Sequence, residues 1–204
     1  LGENKVKLMS YEYSEDALIE QATQDVLEEM GWKVLTAWQN ETFGEDGLLG
    51  REDRSEVILT RQLLKALKML NPNLPNAAYI QTIEQIKQRV ADKTLGRINR
   101  EKSELLKSGV SVSYTDENGE LIKKKLKIFD FNNYLNNNFL AVRQFEVVGE
   151  YYTRRPDVIG FVNGIPLIFF ELKAHHTNLR NAYTQNLKDY KAVPYTHLTL
   201  PTTP

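Results

Sequence analysis

Cysteine is absent from the 204-residue chain, which excludes a disulfide scaffold and thiolate metal sites and suits a reducing cytoplasm. Long apolar runs are missing too. No stretch approaches the ~20 residues that a membrane helix needs, and the first residues lack the succession of basic, apolar and small residues that marks a signal peptide. Nor is there an excess of charge of either sign: 26 basic residues stand against 27 acidic ones, a formal net charge of -1. A stand-alone DNA-binding module is usually clearly basic, so nucleic-acid contacts would have to come from local patches. Two such patches exist, Lys123, Lys124, Lys125 and Lys127 in one run and Arg154 with Arg155 in another. The lysine run reads first as a solvated strand face. No Gly-x-x-x-x-Gly-Lys-Ser/Thr run occurs, so ATP use through such a loop cannot be credited to these residues.

What is present is a composition of 41% hydrophobic and 26% charged residues, enough for one ordinary domain or one domain with an appended subdomain. Residues 14–30 predict an amphipathic helix, with Ser14 as N-cap and Leu18, Ala22, Val26 and Met30 on one face. Gly31 stops it, and Trp32 to Trp38 reads as extended chain. Residues 40–53, rich in Gly, Glu and Asp, predict a loop. A helix is expected over 54–70, ending before Asn71-Pro72, and another from Pro75 to Val90 with Ile80, Ile83, Ile86 and Val90 as its apolar stripe. After Gly109 the period shortens to two. Residues 110–114 alternate, a turn signal follows at 116–119, and a second strand comes next. Beyond an Asn-rich stretch at 132–139, to which no chemistry attaches, lie three more runs of strand character and a last helix at 178–191. The expected fold class is α/β, a mixed central sheet flanked by helices. Residues 1–191 form the expected domain, with 54–106 as a helical elaboration. Residues 192–204, rich in Thr, Leu and Pro, read as an irregular tail, disordered or non-native, and His197 within it as silent.

The chemistry-bearing stretch runs from Arg155 to Lys173, RPDVIGFVNGIPLIFFELK. Asp157 precedes one strand, Asn163-Gly164 marks a turn, and a second strand runs through Glu171 and Lys173. Alternation puts Glu171 and Lys173 on one face with Leu167 and Phe169, and Ile168, Phe170 and Leu172 on the other. Both faces are apolar, the pattern of an interior strand covered on each side. A carboxylate and an ammonium at the end of such a strand need compensation, which a divalent cation would supply. Pairing parity sharpens the point. A regular two-residue turn would set Asp157 opposite Phe170 and send the two acids to opposite faces. A three-residue loop, such as a type I turn with a glycine bulge, or one extra bulged residue brings Asp157, Glu171 and Lys173 out on one side. An odd loop length or a bulge is therefore expected.

Two carboxylates held close repel unless a hard cation with oxygen ligands relieves them. Mg²⁺ there would polarise a phosphodiester and supply a hydroxide, with Lys173 orienting the water and meeting charge that develops on the phosphate. The plainer alternative is a Glu171–Lys173 ion pair at the sheet edge, with Asp157 capping a turn.

Pro156-Asp157 and Glu171-Leu172-Lys173 resemble the two halves of the PD-(D/E)XK nuclease signature. More particularly, Phe145-x-Val147-x-Gly149, the run from Arg155 to Leu167 and Phe170-Glu171-Leu172-Lys173 resemble the N-terminal nuclease region of the type I restriction enzyme R subunit (HsdR). Leu18-Ile19-Glu20-Gln21, Gly31-Trp32 and the stretch from Arg54 to Pro72 are similar to its first helices. The likeness covers roughly residues 14–191. It implies a restriction-endonuclease-like core, double-stranded DNA as substrate and Mg²⁺ as metal. It also implies a cytoplasmic parent subunit whose ATP-driven motor is absent from this chain, with methyltransferase and specificity subunits as partners.

The resemblance further implies that Glu20 serves the metal site; on the helix it lies beside the apolar stripe, and both an inward and a solvated position stay open. The family's Gln-x-x-x-Tyr motif corresponds to Gln185 to Tyr190, which here has four intervening residues. Asn186, the i, i+4 neighbour of Tyr190, is the alternative to Gln185. His175 and His176 read as exposed loop residues, not ligands. Arg154 and Arg155 are candidate contacts to backbone phosphate, with ordinary surface pairing as the alternative. The function expected is a metal-dependent endonuclease domain. The rivals are a non-catalytic DNA-binding or docking domain of the same fold and a repair nuclease of the same superfamily.

Overall fold

The computed structural model describes residues 19–88, 94–116, 118–149 and 152–172. Helix α1 occupies residues 19–29 of the described chain, followed by strand β1 (Lys33–Thr36). Three helices come next, α2 (Thr60–Leu70), α3 (Asn76–Lys87) and α4 (Leu95–Ser108). Seven strands follow among the described residues, β2 (Val110–Thr115), β3 (Leu121–Leu126), β4 (Phe139–Arg143), β5 (Val147–Val148), β6 (Thr153–Arg154), β7 (Val158–Val162) and β8 (Ile165–Phe170), with a short 3-10 helix at Tyr134–Asn136 before β4. The central sheet has the order β1-β4-β7-β8. β1 runs parallel to β4, whereas β4, β7 and β8 alternate in direction. This is a mixed sheet in an α/β architecture of the restriction-endonuclease-like kind. No helix among the described residues is long and apolar enough to cross a membrane.

Both faces of the sheet are covered, by different partners. On one, Leu27 of α1 packs with Ala141 and Val158, and Trp32, Val34, Phe170 and Leu172 close around them. On the other, Leu140, Val142, Ile159 and Phe161 meet Leu49, Val57 and Leu59 from the long β1–α2 connection. That connection is irregular and is held by a buried ion pair. Arg51, with no exposed surface, donates to both oxygens of Glu41 at 2.6 Å and to the Glu146 carbonyl at 2.8 Å, and its guanidinium lies 4.0 Å from the Phe145 ring centre. Breaking such a pair from one side typically costs about 3–5 kcal/mol, because the other charge stays buried. A third cluster joins α2, α3 and α4 to the β2–β3 hairpin, and Ile165 of β8 reaches into it.

The local expectations need four corrections. The packed face of α1 is not Ala22, Val26 and Met30: all three are exposed, the last two at 54% and 68%, and Leu27 is the buried apolar residue. Polar residues with a task, Glu20 and Gln24, share the inward stripe with Leu27 and disguise it. The second helix begins at Thr60 rather than 54, since residues 54–59 run irregularly past the sheet. In α3 the stripe is Tyr79, Ile83 and Ile86, which leaves Ile80 half exposed. Finally, among the described residues β8 is the edge of the sheet, with Ile168 and Phe169 38% and 40% exposed, not an interior strand. The expected helix at 178–191 and the tail lie outside the described residues.

Lys123, Lys124 and Lys125 are exposed on β3, as a solvated face requires. The Asn-rich stretch does have a structural task. Asn163, fully buried at the β7–β8 tip, donates to the Ile128 carbonyl at 2.8 Å and to Asn137 Oδ1 at 2.9 Å, and its own Oδ1 accepts from Asn138 N at 2.7 Å. The tip also presses on the start of α2. A Cβ on Gly164 would stand 2.5 Å from the Leu59 carbonyl oxygen, so only glycine fits.

Candidate active site

The ends of β1, β4 and β8 and the beginning of β7 meet at one end of the sheet. Asp157, just before β7, and Glu171, just after β8, both lie there. Their alignment turns on the hairpin between them. The turn has two residues, Asn163 and Gly164, with φ of 51° and 81°, the doubly positive pattern of a type I′ turn that Asn-Gly favours. A three-residue loop is therefore not the solution. The register slips farther along instead: Phe161 pairs with Pro166 and Gly160 with Ile168, which leaves Leu167 as the extra residue of a bulge. The ladder then runs to Val158 opposite Phe170. The expected bulge is present, and its register carried one step past the ladder would set Asp157 opposite Glu171, on the same side of the sheet.

Neighbouring elements add to this pair. The Leu172 backbone N–H donates to Asp157 Oδ2 at 2.7 Å. Gln144, the first residue after β4, places its Nε2 3.5 Å from Asp157 Oδ1 and 3.5 Å from Glu20 Oε1. Glu20 thus points inward, settling the choice the sequence left open. Arg143 donates to Glu20 Oε2 and, at 2.9 Å, to Gln24 Oε1, so α1 is clasped to the end of β4. The Arg143–Glu20 pair is 20% and 27% exposed, a position in which an ion pair orders side chains but adds little stability. Gln144 has φ 53°, a left-handed backbone that costs a residue with a Cβ roughly 1–2 kcal/mol. Strain of this kind collects at functional sites.

Arg155 lies over the Trp38 ring at 3.9 Å, beside the end of β1, and Arg154 lies over Tyr152 at 5.3 Å. Both rings are partly exposed, at 44% and 51%. Each guanidinium has a local aromatic support. Lys173, Gln185, Asn186, Tyr190, His175 and His176 lie outside the described residues.

The family of type I restriction enzyme R protein N termini matches residues 12–197. The chain belongs to that family. Among curated relatives, the type I restriction enzyme HindI endonuclease subunit of Haemophilus influenzae is 37% identical over 76% of this chain and 14% of its own length. The provisionally named type I restriction enzyme MjaIXP endonuclease subunit of Methanocaldococcus jannaschii is 30% identical over 94% of this chain and 18% of its own length. The type I restriction enzyme EcoprrI endonuclease subunit of Escherichia coli is 24% identical over 76% of this chain. This R-protein N terminus therefore spans less than a fifth of the first two relatives.

The chemistry of the described carboxylates fits a hard cation. Asp157 and Glu171 offer carboxylate oxygens from opposed positions, and Mg²⁺ needs only one or two carboxylates because it keeps several waters. Glu20 stands close behind Asp157, through Gln144. Among the described residues no three Asp, Glu or His side chains gather into a cation cage, so the fit is to a partly hydrated ion. Beside the acids singled out from the sequence stand Arg143 and Gln144, which sequence reasoning did not name. Their only signal was position, immediately before Phe145-x-Val147-x-Gly149, since a lone glutamine has no chemical pattern of its own.

Proposed function

We propose that this chain is the cleavage domain of a type I restriction R subunit, hydrolysing phosphodiesters of double-stranded DNA. The observation that supports the reading is the Leu167 bulge, whose register, continued past Val158 and Phe170, would set Asp157 beside Glu171. Asp157 and Glu171 would hold the Mg²⁺, which supplies a Lewis acid for the phosphoryl oxygen and a more acidic water. Lys173 Nζ orients the attacking water and donates to the charge growing on the phosphate. Glu20 adds negative charge near Asp157, and Tyr190, with Gln185, supports the site. Arg154 and Arg155 contact backbone phosphate and hold the strand in register. The ATP-driven motor belongs to the much longer part of the subunit beyond this chain, and methyltransferase and specificity subunits complete the assembly. Residues 54–106 act as an elaboration that docks against it.

A non-catalytic domain of the same fold is the rival reading. Plasmid cleavage by the full-length R subunit separates the two. Lys173→Ala is expected to cut at least about a hundredfold more slowly, as for loss of a group that meets transition-state charge. Undiminished cutting would refute the catalytic reading.

A further inference from the structure

We infer that Gln144 is a positioning residue of this site, whose side-chain amide sets the spacing of the Glu20 and Asp157 carboxylates. The inference rests on the metal-nuclease reading proposed above and adds to it a residue without charge. Three observations converge on it. The left-handed backbone at Gln144, φ 53°, turns the chain sharply out of β4. Its backbone N–H donates to the Asp157 carbonyl at 2.9 Å, so the turn is keyed to the residue that precedes β7. Its Nε2 then reaches one oxygen of each acid at 3.5 Å, and an amide nitrogen has two N–H groups to offer.

A neutral donor suits this place. Lys or Arg would oppose a cation with its own charge, and a third carboxylate would add repulsion between acids. An amide bridges one oxygen of each carboxylate without adding charge of its own. Arg143, the residue before, holds the other oxygen of Glu20. Two consecutive residues at the end of β4 therefore fix where α1 presents its acid to the hairpin.

Manganese calorimetry and plasmid cleavage, both on the full-length R subunit, compare the wild type with Gln144→Gly, Gln144→Asn and Asp157→Ala. Gln144→Gly removes the amide and relaxes the left-handed backbone, so its unfolding temperature stays at or above that of the wild type. Its Mn²⁺ affinity falls roughly tenfold to a hundredfold, the usual loss when a partner that orients a ligating group is removed. Raising Mn²⁺ restores its cleavage. Gln144→Asn tolerates the same backbone but is one methylene too short to span both acids; it shows the same loss and serves as the test if the glycine variant folds poorly. Asp157→Ala loses Mn²⁺ binding altogether. Unchanged Mn²⁺ affinity in the Gln144 variants, or a cleavage defect that no Mn²⁺ concentration repairs, overturns the positioning role while leaving the nuclease reading in place. Unchanged affinity in Asp157→Ala overturns both.

Discussion

The β7–β8 hairpin has one end made of neutral amides and another made of charges. At the tip, Asn163 is fully buried and each of its side-chain polar atoms has a partner, from Ile128, Asn137 and Asn138. At the open end Asp157, Glu171, Glu20 and Arg143 all keep some exposed surface. The contrast follows from solvation. A buried group that cannot ionise needs only hydrogen bonds, whereas a carboxylate taken fully out of water needs a countercharge in permanent attendance. Leaving the open end partly wet keeps its acids in contact with water, as the proposed cation site requires.

The bulge between the two ends gives the comparison its most severe test. One alanine inserted after Ile168 sets Asp157 opposite Phe170, and cleavage should vanish. Deleting Leu167 should do far less, because it removes the bulge while Asp157 stays opposite Glu171. Plasmid cleavage by the two variants checks this; equal loss in both would mean that pairing parity is not what the bulge provides.

A milder test exchanges stability against ion binding. Asn163→Ala strands the Ile128 carbonyl and the Asn138 N–H, and puts alanine at φ 51°. It should cost about 2–3 kcal/mol in urea unfolding without changing Mn²⁺ affinity. Glu20→Gln should behave in the opposite way, changing stability by less than about 1 kcal/mol, since its ion pair is partly exposed, while weakening Mn²⁺ binding.

The smallest effect concerns Glu56, at the start of the segment that leads to the tip. Burial pushes its carboxyl upward, but the Lys87 ammonium, the Thr60 hydroxyl and the Glu52 amide outweigh that and hold it below the ordinary 4.5. A depressed carboxyl stabilises the fold above its unfolded value and loses that contribution as pH falls through the folded one. Glu56→Gln should therefore lower the urea midpoint at neutral pH, and the difference from wild type should shrink below pH 4.5.

The acids were legible because charges at the end of apolar strands violate the pattern around them. Asn163-Gly164 was legible because its backbone demands are peculiar to those residues. Even the need for an irregularity followed from counting. Its location at Leu167 did not, since nothing in IPLIFF says which residue will be squeezed out of the ladder. The inward face of α1 was misread for the complementary reason: Glu20 and Gln24 look like surface residues unless Arg143, far along the chain, is known to wait for them. Gln144 was invisible. Its role comes from an unusual backbone and two distant neighbours, none of which a single sequence displays.

The parallel pairing of β1 with β4 has a consequence for how the protein is made. Residues 37–138 lie between them, and every one must leave the ribosome before Lys33–Thr36 can find its strand partner. So wide a closure comes late, after the more local β2–β3 hairpin has had time to form. Until then the acid on α1 and those of the hairpin belong to separate stretches of nascent chain, and nothing holds them together.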